Sequence, residues 1–240
     1  MFSIAKKDLH QFLGSLTGYI TIGLFLLING LFLFVLKDSN LFDFGYVTLD
    51  KFFDIAPWFF LFLIPAVTMR TLSDEFKSGT FEILQTIPLT RWQIVTGKYI
   101  AVLTIVIFAL LPTLLYVCTL KSLSIGGEID SGGIAGSYIG LFFLAAVFAA
   151  IGVCCSGLTS NAVVAFLISA FFCLVIFFGF NAVSKLPVLQ GKADFYIEML
   201  GIDFHYRSIS RGVVDTRDII YFFSLIFFFL LLTAKSLHKK

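Results

Sequence analysis

Charge is what this sequence has least of. Only 13% of its 240 residues are Asp, Glu, Lys or Arg, where a soluble domain carries roughly 25%. Cysteine is sparse as well. Cys118, Cys154, Cys155 and Cys173 fall inside apolar blocks, with no CxxC and no Cys/His cluster. That excludes a disulfide framework and gives no metal-ligand pattern. His10, His205 and His238 are far apart and read as surface residues. No GxxxxGK[ST] occurs, and the pairs Gly126-Gly127 and Gly132-Gly133 lack the Lys that would reach a phosphate. The chain therefore shows no ATP site of its own. A net charge of +2, with no basic tail beyond Lys239 and Lys240, gives no nucleic-acid signal.

What the chain does have is hydrocarbon. Hydrophobic residues make up 59%, and Phe alone occurs 31 times. They lie in long uninterrupted blocks, which is the pattern of a chain solvated by lipid. A helix crossing about 30 Å at 1.5 Å per residue needs roughly 20 residues. Six segments qualify: about 17–36, 53–70, 99–120, 134–157, 162–184 and 218–235. The first apolar block is too long for a signal peptide and no small-residue cleavage site follows it, so it reads as a retained span. Pro57 and Pro65 predict a kinked second span, and Pro112 lies inside the third. The uncharged stretch 131–184 is long enough for two spans, with Ser156-Gly157-Leu158-Thr159-Ser160-Asn161 as the break between them.

Positive charge sets the orientation. With both termini cytoplasmic, the inner segments hold Lys6, Lys7, Arg70, Lys77, Arg91, Lys98, Lys235, Lys239 and Lys240. Their only acids are Asp8, Asp74, Glu75 and Glu82. The short loops favour this arrangement over its inverse.

Three segments outside the spans have character. In 1–16, Phe2, Ala5, Leu9, Phe12, Leu13 and Leu16 recur at helical spacing, as in an amphipathic helix lying on the membrane face. The outer segment 185–217 is too long for a turn. Phe195, Tyr196, Met199 and Leu200 predict a short interfacial helix there, and Asp215 is placed to cap the sixth span with Asp218 three residues on. The loop 71–98 reads as helix, Gly hinge, helix, Pro stop, helix. Ser73 and Gly79 bound the first helix, Thr80 can cap the second, Pro88 stops it, and Thr90 with Gln93 forms a capping box. Such a stiff elbow could transmit force, which a slack loop could not.

This loop resembles that of the ABC-2 type permeases. Their pattern is a Glu, then Gly-Thr-x-Glu-x-Leu, then Pro, then Gly-Lys at the start of the third span. The chain carries Glu75, Gly79-Thr80-Phe81-Glu82-Ile83-Leu84, Pro88 and Gly97-Lys98. The stretches 26–34, 56–70 and 208–221 are most similar to the gliding-motility permeases of the Bacteroidota. The resemblance implies a membrane-spanning subunit of the cytoplasmic (inner) membrane whose loop docks on a separate ABC ATPase. It implies coupling residues at Glu75, Phe76, Gly79, Thr80, Phe81, Glu82, Leu84 and Pro88. ATP and Mg would bind on that partner, with no cofactor on this chain. It further implies a second permease half, identical or related, alongside membrane lipid, and a link to gliding or secretion.

The fold expected is thus an all-α membrane protein. It has six transmembrane helices, an N-terminal amphipathic helix, a cytoplasmic coupling loop between spans two and three, and an extracytoplasmic segment before span six. Asn29 and Asn181 are the most polar residues within spans and should bond to neighbouring helices. With Pro65 and Pro112 they are packing or gating candidates. Trp58 and Trp92 read as interfacial anchors. An ion-coupled secondary transporter is the alternative, but none of the long apolar runs contains an ionisable residue to hold an ion at membrane depth. A lipid-acting enzyme would need to use Asp203, His205 and Arg207, the one dense polar cluster, and a His beside an Asp in a loop is more often surface decoration.

Overall fold

The computed structural model describes residues 2–35, 49–82, 90–123, 130–187, 191, 194–213 and 215–237. Every regular element among them is a helix. Six are long and apolar enough to cross a membrane: Leu16–Phe34, Asp50–Ser78, Arg91–Ser122, Ser131–Leu158, Ala162–Ser184 and Thr216–Ser236. The chain is an all-helical protein with six candidate spans. A separate helix, Phe2–Leu13, precedes the first span, whose Ser15 cap accepts from the Gly18 N–H. Two short helices, Asp194–Glu198 and Ile202–Ser210, lie at the opposite end of the bundle.

The fourth span is the hub. It packs against the second, third, fifth and sixth spans and against Ile202–Ser210. Its sequence explains why. Lipid offers no hydrophobic drive between helices, so small residues that admit a neighbouring backbone govern the packing. Gly140, Ala145, Ala146, Ala149, Ala150 and Gly152 are all enclosed. A Cβ on Gly152 would lie 2.1 Å from Thr68 Oγ1 and 2.7 Å from Thr68 Cβ of the second span. One on Gly136 would lie 2.7 Å from Gly212 Cα and 2.8 Å from the Ile209 carbonyl oxygen. Gly23 and Gly30 mark no such close approach.

The prolines behave differently from one another. Pro57 and Pro65 both lie within one continuous α-helix, Asp50–Thr68. A proline lacks the N–H that would bond the carbonyl four residues back, and in hydrocarbon that carbonyl must find another donor. For Pro57 the orphan is Phe53, and the Tyr206 hydroxyl donates to its oxygen at 2.6 Å. The far-end helix is thereby docked into the gap that the proline opens. Pro112 sits in a 3-10 turn, Leu111–Thr113, which divides the third span into Arg91–Leu110 and Leu114–Leu123. The fifth span carries a π-helical segment, Val175–Gly179, that the sequence reading did not foresee.

Other expectations are corrected. The break between spans four and five is only Thr159–Asn161, with Asn161 capping the fifth span through the Val163 N–H. Ser156 and Gly157 are buried within the fourth span. Among the described residues, Asn29 has no hydrogen bond to a neighbouring helix. Its amide donates to the Phe25 carbonyl of its own helix at 2.8 Å. Asn181 does reach another element, donating to Glu198 Oε1 at 3.3 Å. Trp58 lies against Phe178, ring centroids 4.3 Å apart.

Candidate functional site

The elbow is built where the second span turns into the helix Ser73–Ser78. Ser73 does not cap that helix as expected: its hydroxyl donates back to the Met69 carbonyl, and no side chain caps the helix start. Gly79 does end it, with φ +69° in the left-handed region where glycine avoids the Cβ penalty. Thr90 accepts from the Gln93 N–H while the Gln93 side chain accepts from the Thr90 N–H, so the capping box is complete. Ser156 pins this turn to the hub. Its hydroxyl accepts from the Leu72 N–H at 3.3 Å and lies 2.8 Å from the Thr71 hydroxyl.

At the centre of the elbow is the lysine of the Gly-Lys pair that opens the third span. Lys98 lies two turns inside the third helix and is 1% exposed. An ammonium has three N–H donors, and each finds an oxygen on a different segment. They are Asp8 Oδ2 of the N-terminal helix at 3.2 Å, the Thr71 carbonyl at 2.6 Å and Glu75 Oε1 at 2.8 Å. Lys7 stands 3.8 Å from the same Glu75 oxygen. A buried charge is tolerated only when it is paired and its donors are satisfied, and here both conditions hold. The ion cluster joins the N-terminal helix, the elbow and the third span at one point.

The other expected elbow residues divide by exposure. Glu75 turns its Oε1 inward to Lys98 and is largely enclosed. Phe81 is buried, with its ring edge against Phe76 at 4.8 Å. It packs inside the elbow. Gly79, Thr80 and Glu82 are exposed. Leu84 and Pro88 lie outside the described residues.

The opposite end of the bundle has its own buried polar cluster. His205, read from sequence as a surface residue, is 5% exposed. Its Nδ1 meets Asp218 Oδ1 at 2.6 Å, its Nε2 meets the Met199 carbonyl at 2.9 Å, and its ring stacks on Tyr221 at 3.9 Å. A carbonyl can only accept, so Nε2 carries a hydrogen. One further proton bridges Nδ1 and the carboxylate. Both ring nitrogens of His205 are thus engaged in hydrogen bonds within the fold. Asp203, also buried, accepts from Arg207 Nε at 2.9 Å. Burial, followed by the charges of Asp54 and Asp203, raises the Tyr206 hydroxyl well above the usual tyrosine range, which keeps it a donor to Phe53. Asp215 caps the sixth span as expected, and the Arg217 N–H holds its carboxyl below the ordinary carboxylate range.

The family model of the ABC-2 family transporter proteins matches residues 2–233. The chain belongs to the ABC-2 transporter family. Members of this family supply the membrane-spanning, non-catalytic subunit of ABC transporters and normally pair with an ABC ATPase subunit. This ABC-2 permease is accordingly a multi-pass membrane protein. No curated protein matches closely enough to serve as a nearer relative.

In this ABC-2 permease the Glu of the loop pattern and the Lys of its closing Gly-Lys, 23 residues apart, form one ion pair. The third partner, Asp8, was invisible to the motif because it lies 90 residues from Lys98. The amphipathic pattern placed Asp8 on the right helix, but nothing local showed where that helix would dock.

Proposed function

We propose that this chain is the inner-membrane permease subunit of an ATP-driven transporter, with both termini and the elbow on the cytoplasmic side. A separate ATPase binds ATP and Mg and docks on the exposed rim of Gly79, Thr80 and Glu82, with Leu84 and Pro88 in the same loop. Glu75, Phe76 and Phe81 stiffen that rim from behind. A second permease half, identical or related, completes the path. The resemblance of 26–34, 56–70 and 208–221 to gliding-motility permeases supports a role in gliding or secretion, by export or by mechanical work.

The observation that carries this reading is the Lys98 cluster. A push on the rim reaches Glu75, and through Lys98 it reaches the third span and the N-terminal helix. The second span is covalently continuous with the same elbow. A loop held only by exposed contacts would absorb that displacement, because exposed ion pairs contribute only ~0–1 kcal/mol each.

The test uses the chain co-expressed with ABC ATPase subunits from the same genome. Glu82→Ala with Thr80→Ala should weaken co-purification of the ATPase while leaving the permease folded. Lys98→Met should leave co-purification intact but lower permease-stimulated ATP hydrolysis. If neither rim nor cluster substitution alters binding or stimulation, the elbow is not the coupling element. Labelling of Glu82→Cys in a Cys118→Ser background, from the periplasmic side of intact cells, would refute the orientation.

A further inference from the structure

Two interruptions of regular helix adjoin each other toward the end of the bundle opposite the elbow. One is the Phe53 carbonyl that Pro57 leaves open in the second span, and the other is the π segment Val175–Gly179 of the fifth. Side chains join them. Trp58, next to Pro57, lies against Phe178 of the π segment. Tyr206, whose hydroxyl fills the Phe53 gap, has its ring 6.4 Å from that of Phe177. Phe177 is itself buried, with its ring 6.1 Å from Phe148 of the hub. A π turn carries one residue more than the α turn it replaces, and such bulges recur at functional sites.

The extra residue decides what the last turn of the fifth span presents. After the π segment, Phe180–Ser184 resumes α-helix. The Asn181 amide there donates to Glu198 Oε1 at 3.3 Å, and Phe180 lies against Gly201, where an added Cβ would stand 3.1 Å from Phe180 Cβ. Both contacts hold the two short helices of the far end. Ser184 is buried. Were the segment to become α-helical, every residue after it would advance by one place, about 100° and 1.5 Å. Gly179 would then stand where Phe180 meets Gly201. Asn181 would take the place of exposed Ala182, and Ser184 that of exposed Lys185. Both contacts to the short helices would be lost together. The two arrangements are discrete, because helical register changes only by whole residues.

We propose that Val175–Gly179 is a two-position gate element of this permease. As a π-helix it holds the helices Asp194–Glu198 and Ile202–Ser210 against the fifth span, and as an α-helix it releases them and opens the far end of the bundle. The Trp58–Phe178 contact and the Asn181–Glu198 bond favour the π position. The α position restores the ordinary hydrogen-bond ladder of the span. Neither contact involves the elbow, so the inference rests on the permease family and not on ATPase docking.

The experiment is maleimide labelling of Ser184→Cys in a Cys118→Ser background, on the detergent-purified chain without ATPase, with labelled sites located by peptide mass spectrometry. Cys154, Cys155 and Cys173 are buried and report unfolding. Helix register shifts take microseconds to milliseconds, faster than the maleimide reaction, so the labelling rate reads the α population. The thiol at 184 should label while those three cysteines stay unlabelled. Trp58→Ala should raise its rate about two- to tenfold, the range an aromatic pair carries, and Asn181→Leu by about tenfold, for one hydrogen bond to a charged group. Deletion of Val175, an exposed residue, leaves a plain α-helix that keeps Phe180 and Asn181 on their present partners and has no second position. It should suppress labelling at 184. An unchanged rate in either substitution overturns the proposal, and so does a deletion variant that labels like its parent with Cys173 unlabelled. Labelling at 184 that always comes with labelling at Cys173 is global unfolding and overturns it as well. Should the deletion variant alone expose Cys173, the two substitutions decide.

Discussion

Replacing Lys98 by Met removes the charge that two carboxylates were built around. Met matches the length of the side chain, so the effect is electrostatic rather than a cavity. Breaking a buried ion pair by removing one partner costs about 3–5 kcal/mol, because the other charge is left buried and uncompensated. Asp8 and Glu75 retain 14% and 13% side-chain exposure, so water recovers part of the loss, and the expected cost is about 2–3 kcal/mol. The Thr71 carbonyl loses its donor at the same time. Glu75→Gln in the same chain removes one stranded carboxylate, so the double variant should be more stable than Lys98→Met alone. Equilibrium unfolding in mixed dodecylmaltoside and SDS micelles measures all four corners of the cycle. Residues in one ionic network show coupling of about 0.5–3 kcal/mol, and direct contact at 2.8 Å with a 1% exposed lysine should place this pair above about 1.5 kcal/mol within that range. Additivity within about 0.5 kcal/mol would refute the cluster as a joint.

Three further substitutions probe the packing. Gly152→Ala should destabilise by about 1–3 kcal/mol through overpacking against Thr68, and Thr68→Gly in the same chain should recover part of it; the same unfolding assay reads both. Tyr206→Phe strips the donor from the Phe53 carbonyl that Pro57 leaves open, at about 1–3 kcal/mol; Tyr206→Phe combined with Pro57→Ala should be milder, since the helix then supplies its own N–H. His205→Ala leaves Asp218, one of whose oxygens is already buried without a partner, with no side-chain donor among the described residues, at about 3 kcal/mol or more. His205→Ala with Asp218→Asn should be the more stable of the two, as measured by thermal inactivation monitored by size-exclusion chromatography.

The six spans were legible because one number, the thickness of hydrocarbon, sets their length. The caps were legible for a similar reason. Thr90 with Gln93, and Asp215 at the sixth span, act within three residues of themselves, and local chemistry is complete in the local sequence. Contacts across the bundle were not. His205 read as decoration because its neighbours in sequence are Asp203 and Arg207, whereas its partner is Asp218, 13 residues on. Asn29 misled in the opposite direction: an amide inside a span predicts a cross-helix bond, and the carbonyl one turn back in its own helix satisfied it first. Tyr206 gave no signal, since its use depends on a carbonyl orphaned by a proline 149 residues earlier in the chain.

Lys98 is the instructive case for function. At the end of an apolar run, a lysine is counted toward orientation, and in the folded protein it is neither exposed nor uncompensated. The two statements are compatible because they refer to different stages. Orientation is set by Lys and Arg near the ends of emerging spans, in which acids contribute little. Pairing with Asp8 and Glu75 requires the N-terminal helix, the elbow and the third span to have met. If Lys98 is struck from the count together with its two acids, Lys6, Lys7, Arg70, Lys77, Arg91, Lys235, Lys239 and Lys240 still face only Asp74 and Glu82. The proposed orientation therefore does not depend on the residue that the fold has withdrawn for another purpose. Lys98→Met should change stability and coupling while leaving the sidedness of a Glu82→Cys label where it was.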